Sequence, residues 1–195
     1  MAGFDYIIVG GGSAGCVLAA RLSEDPGTSV LVLEAGGNDN HPFITMPLGF
    51  LRAMIMPQLN WRYLTEPEPH LDGRQMPMPR GKVLGGSGSI NGMFAMRGHP
   101  NDYNQWAQLG AQGWSYADCL PYFRKLENSW RGASAYHGTD GPVRIRPIDS
   151  PHVLHEVMME TAANAGFAIT DDLNGAMPEG FARGEQTIDD KGRRV

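Results

Sequence analysis

The stretch Phe4-Asp5-Tyr6-Ile7-Ile8-Val9-Gly10-Gly11-Gly12-Ser13-Ala14-Gly15, read together with Ser29-Val30-Leu31-Val32-Leu33-Glu34-Ala35, decides the fold. Residues 4–9 are a short β-rich run suited to a buried strand. Three glycines break it. Residues 13–22 then predict a helix, with Val17, Leu18 and Leu22 apolar and Ala14, Ala19 and Ala20 small. Ser23-Glu24-Asp25-Pro26-Gly27 ends that helix with turn chemistry. Residues 29–33 are a second buried-strand run. Strand, helix and strand in this order make a βαβ unit, whose strands run parallel through a right-handed crossover.

Gly10-x-Gly12-x-x-Gly15 occupies the turn from the first strand to the helix. In a nucleotide-binding turn of this kind Gly10 permits the tight bend, Gly12 lets main chain approach a pyrophosphate, and Gly15 lets helix and strand pack closely. The helix N-terminus, from Ser13 and Ala14 on, offers N–H groups and the positive end of a dipole to that pyrophosphate, an attraction of about 0.3–2 kcal/mol depending on burial. Glu34, with Ala35 behind it, ends the second strand and can accept hydrogen bonds from both ribose hydroxyls of an adenosine, each worth about 1.5–3 kcal/mol. Three glycines alone describe a flexible turn equally well; strand, helix and acidic residue together select dinucleotide binding. They do not separate FAD from NAD, although the glutamate disfavours NADP.

The bulk properties exclude other classes. The 195 residues suffice for one domain, or one and a part. A composition of 42% hydrophobic and 19% charged residues is that of an ordinary soluble globular protein. Sixteen basic against 21 acidic residues give a net charge of −5, which argues against a nucleic-acid partner. Lys191, Arg193 and Arg194 are too small a basic cluster to reverse that. Cys16 and Cys119 have neither metal-like spacing nor a disulfide framework, so a reducing, cytoplasmic compartment is expected. No secretory signal pattern precedes the first strand. The longest apolar stretch, Phe50–Met56, is interrupted by Arg52 and falls far short of the ~20 residues of a membrane span. It leaves peripheral contact with the inner membrane face open, and a buried helix explains it equally well.

Residues 38–60, with Pro42, Pro47 and Pro57, read as irregular. Residues 61–65 and 75–78 are short extended runs joined by a polar turn at Asp72-Gly73. A helix is expected over 101–109, led by Asn101 or Asp102. Ser115-x-x-Asp118 is a capping-box start leading into 122–127, and Pro121 either kinks or restarts that helix. Residues 138–142 turn into a strand at 143–146. Ser150-Pro151 is a good N-cap followed by proline at the first helical position, and Gly166 a good stop. Between them Val153, Leu154, Val157, Met158, Ala162 and Ala165 make an apolar stripe. His152 and His155 lie three apart on that helix; a partly exposed helix face accounts for them better than a metal pair, and no metal site is expected. Met54, Met56, Met76 and Met78 are read as fillers of apolar gaps.

Arg80-Gly81-Lys82-Val83-Leu84-Gly85-Gly86-Ser87-Gly88-Ser89-Ile90-Asn91-Gly92-Met93-Phe94-Ala95-Met96-Arg97-Gly98 is a second glycine-rich loop. Its glycines let main chain lie against a flat ring or a pyrophosphate, and Ser87 and Asn91 can bond phosphate or a flavin edge. The run resembles the signature of the glucose–methanol–choline oxidoreductases at Gly81, Lys82, Leu84, Gly85, Gly86, Ser87, Gly88, Ile90, Asn91, Ala95 and Gly98. Residues 61–67, Asp102-Tyr103, Trp106, Gly113-Trp114, residues 120–123, His137-Gly138 and Gly141-Pro142-Val143 extend the likeness over nearly the whole chain, nearest the choline dehydrogenase and alkanol dehydrogenase branch. The resemblance implies an α/β fold: a Rossmann-like FAD-binding βαβ unit with the start of an α+β substrate domain, an incomplete fold. It implies an FAD-binding part over 1–150, including the 80–98 loop, and a truncated beginning of the substrate domain over 151–195. It further implies that Val83, Leu84, Gly86, Ser87, Asn91, Gly92, Met93 and Ala95 contact the flavin half of FAD, and that Gly12, Ser13, Ala14 and Glu34 hold the ADP half. Two loops serving one cofactor must meet; a Gly85–Gly88 backbone remote from Gly10–Gly15 would overturn the reading.

One departure is informative. Some members of the family carry a histidine directly before the asparagine, linked covalently to the flavin. Here that position is Ile90, which has no nucleophile, so non-covalent FAD is expected. The family oxidises an alcohol: a histidine base takes the hydroxyl proton while hydride passes from carbon to flavin N5, and a quinone, dye or oxygen accepts the electrons. The base, beside a second histidine or an asparagine, lies far toward the C-terminus of a longer chain. No catalytic residue is therefore assigned here, the expected ones lying beyond Val195, and the 195 residues taken alone are expected to bind FAD poorly and turn over no alcohol. The competing readings are a nicotinamide-dependent dehydrogenase, which the 80–98 loop argues against, and a cofactor-binding remnant without activity.

Overall fold

The computed structural model describes residues 3–148 and 153–195. Its packing divides the chain into two compact units, Met1–Met93 with Gly192–Arg194, and Phe94–Lys191 with Val195. This division by packing differs from the one at 150/151, which concerns what each part binds.

In the first unit, β1 (Tyr6–Val9) and β2 (Val30–Leu33) pair in parallel, Tyr6 opposite Val30 and Val9 opposite Leu33, with α1 (Ser13–Leu22) between them. The predicted βαβ unit is thus present. Its strands are not buried as expected: only Ile8 of β1 is, while Val9 is 85% and Ile7 60% exposed. Burial of a strand needs neighbours on both edges and layers on both faces, and among the described residues this sheet has two strands.

The segment read as irregular is partly helical. Pro42 starts α2 (Pro42–Thr45), with His41 Nδ1 accepting from Phe43 N at 3.1 Å; Pro47 opens a 3-10 turn, and α3 (Phe50–Ala53) follows. Proline at a first helical position loses no bond, since its N–H would be unsatisfied anyway. Ile44 and Ala53 bury with Leu59, Val83 and Ile90, backed by Phe43, Met54 and Met56. The gap-filling role therefore holds for Met54 and Met56, whereas Met76 and Met78 are exposed. β3 (Tyr63–Leu64) and β4 (Pro77–Met78) pair antiparallel across the turn at Asp72-Gly73, both left-handed.

In the second unit, α4 (Pro100–Gln108) is capped by His99 with Asp102, ahead of the Asn101 or Asp102 expected to lead it. α5 (Tyr116–Leu126) has the expected Ser115/Asp118 box and runs through Pro121 as one helix, giving up one N–H bond. β5 (Glu127–Ser129) runs parallel to β6 (Val143–Pro147), and a short β7 (Glu185–Gln186) pairs antiparallel on the other edge of β6. α6 (Val153–Asn164) ends near Gly166 at φ +81°. Its stripe is mostly exposed, only Ala162 being buried; Ser150, Pro151 and His152 lie outside the described residues. No helix among the described residues is long and apolar enough to cross a membrane.

Candidate cofactor-binding site

The two glycine loops meet. Gly85 N donates to Gly11 O at 2.7 Å and Leu84 N to Gly37 O at 2.9 Å, with parallel bridges Gly12–Gly85 and Gly37–Val83. The second loop therefore runs beside the ends of β1 and β2 as a strand would. Absence of side chains permits this approach. A Cβ on Gly86 would sit 2.9 Å from Gly12 Cα, one on Gly36 would overlap the Lys82 carbonyl at 2.1 Å, and one on Gly15 would lie 2.0 Å from Gly10 O. The last contact is the close helix–strand packing expected of Gly15.

Glu34 fastens the first loop from within. Its Oε2 accepts from Gly11 N at 2.7 Å and its Oε1 from Gly36 N at 2.8 Å. Each carboxylate oxygen keeps a lone pair for a further donor, such as a ribose hydroxyl.

The first turn of α1 fits an anion. Gly12 caps it without any side-chain bond, and no acidic residue lies in its first turn. α4 and α5, by contrast, close theirs with capping boxes: His99 Nδ1 accepts from Asn101 N and Ser115 Oγ from Asp118 N, while the Asp102 and Asp118 carboxylates accept from His99 N and Ser115 N. Ser13 and Ala14 are exposed at the open end. Unpaired N–H groups and the helix dipole where two glycine loops meet suit a pyrophosphate. These residues fit the expected dinucleotide.

In the second loop a 3-10 turn spans Gly86–Ser89, after Gly85 at φ +86°. Ser87 Oγ accepts from Gly81 N at 3.0 Å, and the Ser87 carbonyl receives Ile90 N and Asn91 N. The Asn91 carboxamide oxygen accepts from Met93 N at 2.9 Å, across a left-handed Met93 (φ +62°). Val83 is fully buried and Met93 only 2% exposed, so the side chains of both are packed inside. Leu84 is partly exposed. Ile90 is packed in the core beside Val83. Ala95 belongs to the second unit, where its N–H donates to Glu185 O at 2.8 Å and its carbonyl accepts from Asn174 Nδ2 at 2.9 Å.

One group of charged residues went unread. His137, 3% exposed, places Nδ1 2.5 Å from Glu127 Oε1 and Nε2 2.8 Å from Asp172 Oδ2. Ionised carboxylates only accept, so the two contacts together favour the imidazolium form of the ring. Its pKa is raised, by the Glu127 bond first, against the opposing effect of burial, with Asp172 adding to the rise. Burial pushes the Asp172 carboxyl up, but the His137 bond, the Asn174 N–H and the charges of His137 and Arg131 together hold it below its ordinary value. Arg97 pairs with the other oxygen of Glu127, and Arg131 Nε donates to buried Glu185 at 2.7 Å. Every group in this cluster has a partner within it, so it is built to hold loops. The only signal in the sequence was His137 itself, ahead of Gly138, and spacing says nothing about carboxylates ten and 35 positions away.

The GMC oxidoreductase family model matches residues 4–195. The oxygen-dependent choline dehydrogenase of Sinorhizobium fredii is 54% identical over 185 residues, 94% of this chain and 33% of that protein. The protein of the same description from Brucella anthropi is 49% identical over 190 residues, 97% of this chain and 34% of its own length. Among solved structures, pyridoxine 4-oxidase from Mesorbium loti superposes with a TM-score of 0.92 at 36% identity, over 99% of this chain and 38% of its own. Formate oxidase superposes with a TM-score of 0.85 at 29% identity, over 98% and 35%. The chain spans about a third of the length of the relatives it matches. With a family match over nearly all its residues, on a fold whose glycine loops join main chain to main chain, the chain belongs to the GMC oxidoreductases as their N-terminal FAD-binding region.

Proposed function

We propose that this chain supplies the cofactor cradle of an FAD-dependent enzyme that oxidises the CH–OH group of a primary alcohol. Bound FAD supplies a hydride acceptor for the alcohol carbon. The chain's own residues bind and orient it: the α1 N-terminus at Gly12–Gly15 meets the pyrophosphate, Glu34 with Ala35 the adenosine ribose, and Val83, Leu84, Gly86, Ser87, Asn91, Gly92 and Met93 the flavin. Ala95 completes the set by resemblance, and residues 1–150 form the cofactor part with 151–195 opening the substrate part. The observation that carries the reading is the Gly12–Gly85 bridge, since two main chains that close together at one helix N-terminus leave one place for one dinucleotide. The names of the choline dehydrogenase relatives favour a quaternary ammonium alcohol as the first substrate to test, with oxygen, a quinone or a dye as electron acceptor. The two cysteines support a reducing, cytoplasmic compartment, with peripheral contact at the inner membrane face left to experiment.

The test uses the complete polypeptide that carries this chain. Purified protein should be yellow, and acid precipitation should release all flavin to the supernatant. Ile90 offers no nucleophile and its side chain is buried, so flavin on the pellet would refute the non-covalent mode. A panel of primary alcohols should bleach the flavin anaerobically; bleaching by a reduced nicotinamide and by no alcohol would sink the proposed reaction. Glu34→Ala should weaken FAD retention at least tenfold, corresponding to about 1.5 kcal/mol for one charged hydrogen bond.

A further inference from the structure

Arg194 follows the last turn of the chain yet packs with the first unit. Its guanidinium reaches two stretches of the chain there, the end of α2 and the Gly88–Asn91 turn. Nε donates to Ile44 O at 3.0 Å, Nη1 to Gly88 O at 2.8 Å and to Asn91 Oδ1 at 2.7 Å, and Nη2 to Asn91 O at 2.6 Å. Arg194 N adds a bond to Thr45 O at 3.2 Å. Four side-chain donors in a rigid planar fork thus hold the end of α2 to both ends of the Gly88–Asn91 turn. A lysine, with one rotating ammonium, does not match that geometry.

The consequence for Asn91 is specific. Its carboxamide faces two groups that can only donate, the Arg194 Nη1–H and the Met93 N–H. The atom turned toward them must be the oxygen. Asn91 is exposed, and covalent geometry puts its NH2 on the other side of the carboxamide from both contacts. Without Arg194 the amide oxygen keeps the Met93 N–H alone and loses the second of the two donors that fix its orientation.

We propose that Arg194 is a positioning residue of the flavin loop: it holds the Gly88–Asn91 main chain and orients the Asn91 carboxamide so that N–H donors face the cofactor's acceptor atoms. This rests on the reading that Asn91 contacts the flavin, and it adds which atom of Asn91 does so and what orients it.

The experiment uses the complete polypeptide, stripped of flavin and titrated with FAD, with affinity read from flavin fluorescence and the environment from visible circular dichroism. Arg194→Met should lose at least tenfold in FAD affinity and alter the visible dichroism of what remains bound, and Arg194→Lys should rescue neither. Asn91→Asp keeps an acceptor for Arg194 and for Met93 N but replaces the outward donors by an acceptor. It should melt as the wild-type apoprotein does and still lose at least tenfold, which keeps the test open should Arg194→Met fail to fold. Asn91→Ala combined with Arg194→Met should lose no more than the worse single variant. Wild-type affinity and dichroism in Asn91→Asp, or losses that multiply in the double variant, would overturn the proposal while leaving the functional reading intact. A wild-type protein that binds no FAD at all would overturn both.

Discussion

Gly86→Val is expected to leave the protein without FAD, its affinity falling at least a hundredfold. Two costs combine at this residue. Gly86 has φ +58°, a conformation that costs an L-residue roughly 1–2 kcal/mol and a β-branched one more. Its Cβ would also lie 2.9 Å from Gly12 Cα, so one glycine loop must move away from the other. That displacement breaks the Gly85 N to Gly11 O bond and draws the second loop away from the α1 N-terminus that is to hold the pyrophosphate. Gly73→Ala separates the two costs, because Gly73 is left-handed (φ +70°) with nothing within 4 Å of a built Cβ. It should retain FAD at wild-type affinity despite the same backbone strain. Equilibrium titration of both apoproteins decides the matter, and a Gly86→Val protein that still binds at wild-type strength would show that the loop junction is not the binding site.

His137→Leu is expected to cost about 3–5 kcal/mol of stability, the usual penalty for removing one partner of a buried charge cluster. It leaves the carboxylates of Glu127 and Asp172 without the cation between them, at positions 3% and about a fifth exposed. The pH dependence has a defined sign. The His137 pKa is raised in the folded protein, so its contribution is complete below the ordinary histidine value of about 6.5 and fades as pH rises through the folded value. Asp172 is lowered, so its contribution is present above its ordinary value and fades as pH falls through the folded one. The cluster therefore supports the second unit most between about pH 4 and 6.5. Urea unfolding from pH 5 to 9 should show wild-type stability declining on the alkaline side and a flatter profile for His137→Leu. Equal profiles for the two proteins would mean that the imidazolium contributes nothing.

Much of the cofactor cradle could be read directly from residue order. A β-rich run, three glycines, a small-residue helix and a second β-rich run ending in Glu34 are local signals, and the strands and helix formed within a residue or two of their expected bounds. Where reading failed, the deciding partner was distant or the local signal weak. The helix at 42–45 was missed because proline density reads as disruption, although Pro42 sits where a helix can begin, while the helix offered for Phe50–Met56 forms over Phe50–Ala53 with Ala53 buried and Leu51 exposed. The expected burial of β1 failed because burial belongs to the neighbours of a strand and not to its composition.

By itself, then, the sequence determined the βαβ unit, the positions of its turns, the absence of a nucleophile at Ile90 and the family. Tertiary structure alone decided that the Val83 and Met93 side chains are buried, that Arg194 reaches back to Asn91, and that His137 sits between Glu127 and Asp172. The physical reason is range. Glycine turns, caps and strand propensity act over a few residues, so they are written in the order of the chain. Burial and ion pairing depend on which distant groups share a volume, and residue order carries no record of that until the chain has folded.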